Sequence, residues 1–174
     1  RQAVRDQLPY KPDFIKIWYI TNFTGKNIED SARKFLPIIK ATIDEAHKNN
    51  LRVAVHATER ITAQLAVENG CDYLVHMIDD EIVSNDFIAL LKKKKTVLCP
   101  TLTVMDDYAS TFSQKIVPSL YELNNATPEP LASLLEFKNH QDTGLVKAYK
   151  KYGPVFNPSK SDSIGNINLK KMMD

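Results

Sequence analysis

The apolar positions of this chain fall into two alternating patterns. Short, nearly unbroken runs occur at 14–20 ("FIKIWYI"), 52–56 ("RVAVH"), 73–77 ("YLVHM") and 96–99 ("TVLC"). They are rich in β-branched and aromatic residues and bounded by polar or turn-forming ones, so they predict strands. Between them, apolar residues return every third or fourth position, which predicts helices over about 30–49, 59–69 and 84–94. In the first of these, Phe35, Ile38, Ile39, Ile43 and Ala46 form the stripe. Pro37 lies within it, so this helix either begins near Phe35 or is kinked there. Thr58 is expected to cap the second helix and Gly70 to close it, and Ser84 or Asn85 to cap the third. The order β-α-β-α-β-α-β with short loops predicts parallel strands joined by right-handed crossovers.

Residues 101–160 break this rhythm. About three helical pieces are expected there, separated by Pro118, "ATPEP" and "YGPVFNPS". Apolar residues recur at helical spacing, so the segment reads as a helical insertion and not a linker. A further helix is expected over 163–173. The expectation is one α/β domain, 1–174, with 101–160 inserted after the fourth strand.

Composition narrows the function classes. Of the 174 residues, 43% are hydrophobic and 25% charged, with 23 basic residues against 21 acidic ones and a net charge of +2. That balance gives no electrostatic reason to expect nucleic acid or an anionic membrane as partner. The run Lys92–Lys95 ends a helical pattern, where lysines complement the helix dipole. Cys71 and Cys99 lie on different elements without CxxC spacing and are expected to be small buried residues. No run is long and apolar enough for a membrane span. The opening "RQAVRDQLPYKPD" looks like the middle of a polypeptide, so no compartment is indicated.

Candidate chemistry lies at the strand ends. His56 closes the second strand and His76 takes the matching place on the third. In parallel α/β architectures, functional groups gather at the carboxyl ends of strands, and neighbouring strands lie ~4.8 Å apart. Two imidazoles at equal height can therefore reach one cation. For a single histidine, a core side chain satisfied by backbone hydrogen bonds is the simpler reading; two at equivalent ends favour a site. Lys16 sits mid-strand in "FIKIW". Were it buried in a central strand, its amine would be pushed toward the neutral form, which takes up carbon dioxide to give a carbamate. The competing reading is a lysine snorkelling from a strand end.

Lys16 in "FIKIW", His56 in "VAVHA" and His76 in "DYLVH", with "IDEAHKNNLRVAVHATERITAQLAVENGCDYLVH" around them, resemble the amidohydrolase superfamily. The likeness is greatest to its imidazolonepropionase-like and Xaa-Pro dipeptidase-like branch, and it covers about 8–105 and, more weakly, "NINLKKMMD". The resemblance implies a (β/α)8 TIM barrel carrying one or two divalent metals, zinc by default, at its C-terminal mouth. It implies Lys16 as a carbamylated bridging ligand on the barrel's fourth strand, with His56 and His76 as metal ligands on the fifth and sixth. "TVLCPTL" corresponds to the seventh. The implied activity is hydrolysis of an amide, peptide or cyclic amide C–N bond by a metal-activated hydroxide.

Such a barrel needs ~250 residues and eight strands. Only four strands are expected here. Neither the His-x-His of the first strand nor the proton-handling aspartate of the eighth is found in the sequence, so no catalytic residue is assigned. Asp79, Asp80 and Glu59 are conceivable substitutes, although acids at helix starts usually serve the helix. Tyr19, Tyr108 and Arg60 are placed near the mouth, where a small-molecule or peptide amide could touch them. The chain is thus expected to be a partial barrel, inactive alone, with open sheet edges that favour self-association. Two rivals are weighed: a flavodoxin-like domain, which wants a glycine-rich phosphate loop although only five unclustered glycines occur, and a non-catalytic α/β module whose insertion binds a partner.

Overall fold

The computed structural model describes residues 1–21, 27–101, 116–136 and 158–173, with single positions 104, 111, 139, 144 and 147. The chain divides into two compact units, one of residues 1–102 and 162–174, the other of 103–161.

In the first unit, α1 (Gln2–Arg5) and a short 3-10 turn (Leu8–Tyr10) lead into β1 (Phe14–Trp18). Then follow α2 (Ile28–Lys48), β2 (Arg52–His56), α3 (Arg60–Glu68), β3 (Tyr73–Val75), α4 (Asn85–Lys94) and β4 (Val97–Cys99). All three strand pairs are parallel, and the sheet order is β1-β2-β3-β4. An order that follows the sequence has no point of reversal, which a doubly wound, flavodoxin-like sheet requires. That rival is not met by the described strands.

The sheet has two unlike faces. Ile15, Val53, Val55 and Leu74 are buried, together with Ile39, Ile43, Ala46, Ala63, Ala66 and Leu91 from the helices. The alternate positions Phe14, Trp18 and Val97 are 47%, 67% and 54% exposed. A period of two sends neighbouring side chains to opposite faces, so one face carries the helices and the other is open.

Several local expectations change. The first helix starts at Ile28, capped by the Asn27 side chain accepting from Asp30 N–H, and Pro37 is accommodated within it. Thr58 is not the cap of α3; Glu59 holds that position without a side-chain cap bond. Ser84 caps α4 by accepting from Phe87 N–H, worth about 1 kcal/mol. Gly70 has φ 90, the left-handed conformation that ends a helix without a Cβ penalty. Cys71 is buried, but Cys99 is exposed, because it lies on the open face of β4.

In the second unit, α5 (Leu120–Asn125) begins with a reciprocal capping box between Ser119 and Glu122, and α6 (Pro128–Glu136) follows. The last helix, α7 (Pro158–Met173), crosses back into the first unit. There Asn168, fully buried, accepts from Val83 N–H at 2.9 Å and donates to the carbonyls of Ile78 and Glu81, each at 2.9 Å. Among the described residues no helix is long and apolar enough to cross a membrane.

Candidate functional site

His56 is the last residue of β2 and pairs in register with Trp18. The two rings stack, with centroids 4.4 Å apart and planes 10° apart. Trp18, Lys16 and His56 therefore share the open face. His76 follows β3 by one residue, and the pleat alone would send it to the helix side. Instead it has φ 77, and its ring meets the His56 ring edge to face at 4.0 Å. The left-handed residue reverses the alternation and returns the imidazole to the open face. Thr101, two residues beyond β4, has φ 47, and its hydroxyl lies 2.5 Å from His76 Nδ1. Left-handed backbone at a histidine is uncommon, and at a β-branched threonine it is an outlier. Such conformations cost about 1–3 kcal/mol each and concentrate at functional sites.

Electrostatics keep the pair neutral. Burial pushes the His56 imidazole down to about 4, aided by His76 and by the positive charge of Lys16. Burial, then Lys16, lowers His76 below its ordinary value. Both rings thus carry a free lone pair at neutral pH, which is the form that binds a cation. Among the described residues, neither His56 nitrogen nor His76 Nε2 has a hydrogen-bond partner.

Lys16 departs from its expected setting. It is exposed, on edge strand β1 rather than a central one, because the face it shares with Trp18 is open. Tyr19 is not at a mouth: it is 2% exposed, its hydroxyl donates to Ala32 O at 2.6 Å, and burial pushes its pKa up to about 12. Arg60 is held by Glu81 and Gln64, and its N–H donates to Asp80 Oδ1 at 2.9 Å. Tyr108 lies outside the described residues.

Two of the three acids considered as substitutes have structural work. Glu59 is buried; its carboxylate accepts from Thr21 N–H and from the Thr62 hydroxyl, each at 2.8 Å. Asp80 serves the free N–H of Arg60 at the start of α3. Asp79 donates its own N–H to Thr58 O at 3.1 Å. Sequence reasoning passed over Trp18 and Thr101. The spacing of Trp18 from Lys16 placed both on one face, and Pro100 marked the residue after it as a place where the backbone turns.

Protein metal sites take three or four side-chain donors. Among the described residues no group of three or more His, Cys, Asp or Glu side chains could hold an ion. The donor chemistry present is two neutral imidazoles, with Lys16 on the same face. This fits part of a metal site. A cavity of about 330 Å³, lined by Ile88, Leu91, Lys95, Thr96, Leu98 and Met172, includes Leu98 of the helix-side face, away from the histidines.

No family model matches the chain, and no curated protein matches it. Solved structures do. A Xaa-Pro dipeptidase with methionine bound in its active site aligns at a TM-score of 0.50 and 18% identity, over 92% of this chain and 37% of its own. An amidohydrolase aligns at 0.50 and 17% identity, over 99% and 45%. A prolidase complexed with N-methylphosphonate-L-proline aligns at 0.50 and 16%, over 95% and 46%. The fold is a partial (β/α)8 barrel. It spans less than half the length of these structures, 37% to 46%. At such identities the likeness is one of fold.

Proposed function

We propose that this chain is part of a metal-dependent amidohydrolase, a hydrolase of C–N bonds in an amide, peptide or cyclic amide. In this reading His56 and His76 hold a divalent ion, zinc by default. One observation carries it: two neutral imidazoles meet at 4.0 Å at the carboxyl ends of adjacent parallel strands. In parallel barrels that end gathers the chemistry. The presence of prolidases and an amidohydrolase among solved structures of this fold supports the same reading.

A bound divalent ion supplies Lewis acidity at the substrate carbonyl. The chain's own part is to present lone pairs from two imidazoles and to cover one face of the His56 ring with Trp18. Lys16, on the same face, is the third ligand as a carbamate in a complete barrel. Exposed as it is, its carbamate is not expected to persist in this chain without metal. Glu59 and Asp80 are engaged elsewhere, so neither is assigned the proton-transfer role. We therefore expect the 174-residue chain to bind metal weakly and to hydrolyse nothing.

Calorimetric titration with Zn2+ of the chain and of its His56→Ala and His76→Ala variants tests the ligands, alongside turnover assays on dipeptides and cyclic amides. Binding that either substitution abolishes is the expected result. Binding by both variants equal to that of the unaltered chain refutes the metal site, and metal-dependent turnover by the unaltered chain refutes its inactivity.

A further inference from the structure

The carboxyl ends of β3 and β4 are joined in an unusual way. Val75 and Cys99 are register partners, and His76 N–H donates to Cys99 O at 2.8 Å, one step past the paired strands. The register pairs end there, and Thr101, whose N–H would be the next ladder donor toward β3, sits in left-handed backbone. A side-chain bond follows instead, between His76 Nδ1 and the Thr101 hydroxyl at 2.5 Å. Both residues sit in left-handed backbone, at φ 77 and φ 47. Two strained residues on adjacent strand ends thus face one another and share one hydrogen bond.

We infer that Thr101 is a positioning residue for His76. The His76 Nδ1–H donates to Thr101 Oγ1, which fixes the ring's rotation and its tautomer and leaves the Nε2 lone pair free on the open face beside His56. The His56 ring then meets an oriented neighbour and not a freely turning one. A ligating histidine is commonly held this way through its second nitrogen, and loss of the holding group costs about 10- to 100-fold in metal affinity. The consequence for affinity rests on the metal reading above; the tautomer does not.

The test is a long-range 1H–15N correlation spectrum of the metal-free 174-residue chain at pH 8, for wild type, Thr101→Val and Thr101→Ser. The expected result is protonated Nδ1 and bare Nε2 at His76 in wild type and T101S. In T101V the ring should revert toward the Nε2–H form that an unconstrained histidine prefers. A wild-type ring already in the Nε2–H form, or a T101V spectrum unchanged at His76, overturns the inference. Should T101V fail to fold, Thr101→Gly removes the hydroxyl while suiting the left-handed backbone, and the same comparison is made with it.

Cobalt titration of the same proteins gives the second reading. T101V is expected to bind about 10- to 100-fold more weakly than wild type, with T101S close to wild type. Equal affinities in wild type and T101V count against positioning. If wild type binds no cobalt, the metal proposal fails, and the tautomer spectra alone decide the role of Thr101.

Discussion

The Trp18 indole lies flat on the His56 imidazole, at 4.4 Å between centroids and 10° between planes. Burial is the largest cause of the low His56 pKa, and Trp18 covers one face of that ring. Trp18→Ala should therefore raise the pKa from about 4 toward the ordinary value of 6.5. Because Trp18 is 67% exposed, the cost in stability should stay within about 1 kcal/mol. NMR titration of the His56 ring protons, with a thermal melt as control, checks both parts.

The same shift fixes a pH dependence. His56 is held low in the folded chain and is ordinary in the unfolded one, so the unfolded state takes up the proton first as pH falls. Stability should be level above about pH 7, decline from 6.5 toward about 4, and gain no further loss from this group below that. His76, also lowered, acts in the same direction. Urea midpoints at pH 7.5, 6 and 5 measure the decline, and a His56→Phe variant should show a shallower one.

The two thiols should react at very different rates. Cys71 is 2% exposed and burial pushes its pKa up to about 12, whereas Cys99 is exposed. The thiolate is the reactive form. A colorimetric thiol reagent on the native chain should titrate one fast group, lost in Cys99→Ser, and reach the second only in denaturant.

Asn168→Ala should destabilise by about 2–4 kcal/mol, since it strands one buried donor and two acceptors. Hydrogen exchange should locate the loss at Val83, whose N–H is bonded to Asn168. Uniform loosening of β1 and β2 instead would count against this local account.

We expect the chain to self-associate. Phe14, Trp18 and Val97 face outward on one side of the sheet, and among the described strands the edges of β1 and β4 are unpaired. Unpaired edges and exposed apolar faces invite pairing with another chain. Sedimentation velocity should show a weight-average mass that rises with concentration; a constant monomer across a wide range refutes the expectation.

Much of this was legible in the sequence for a physical reason. The run "RVAVH" and the helix ending at Gly70 are determined locally, by side-chain period and by one left-handed residue, so their bounds could be read directly. The positions of His56 and His76 at strand ends were readable for the same reason. The setting of Lys16 was not, because burial depends on what covers a face, and a strand's own residues do not encode that. Nor did the pattern show that His76 needs a left-handed backbone to reach His56: period-two alternation points it to the wrong side. Tyr19 misled in the opposite way, since a residue just past a strand end can turn inward as easily as outward. Thr101 became visible only once β3 and β4 were in register.

The Asn168 clamp also governs how the chain can be altered. It joins residues 85 to 90 positions apart in sequence, across the whole of the second unit. Closing so long a loop costs entropy that grows only with the logarithm of its length, about 0.6 kcal/mol for each doubling. The segment between the sheet and α7 is therefore a tolerant place for insertion or deletion, while the bonds of Ile78, Glu81 and Val83 to Asn168 cannot form during synthesis until residue 168 has emerged. Timing, more than length, is what the clamp makes critical.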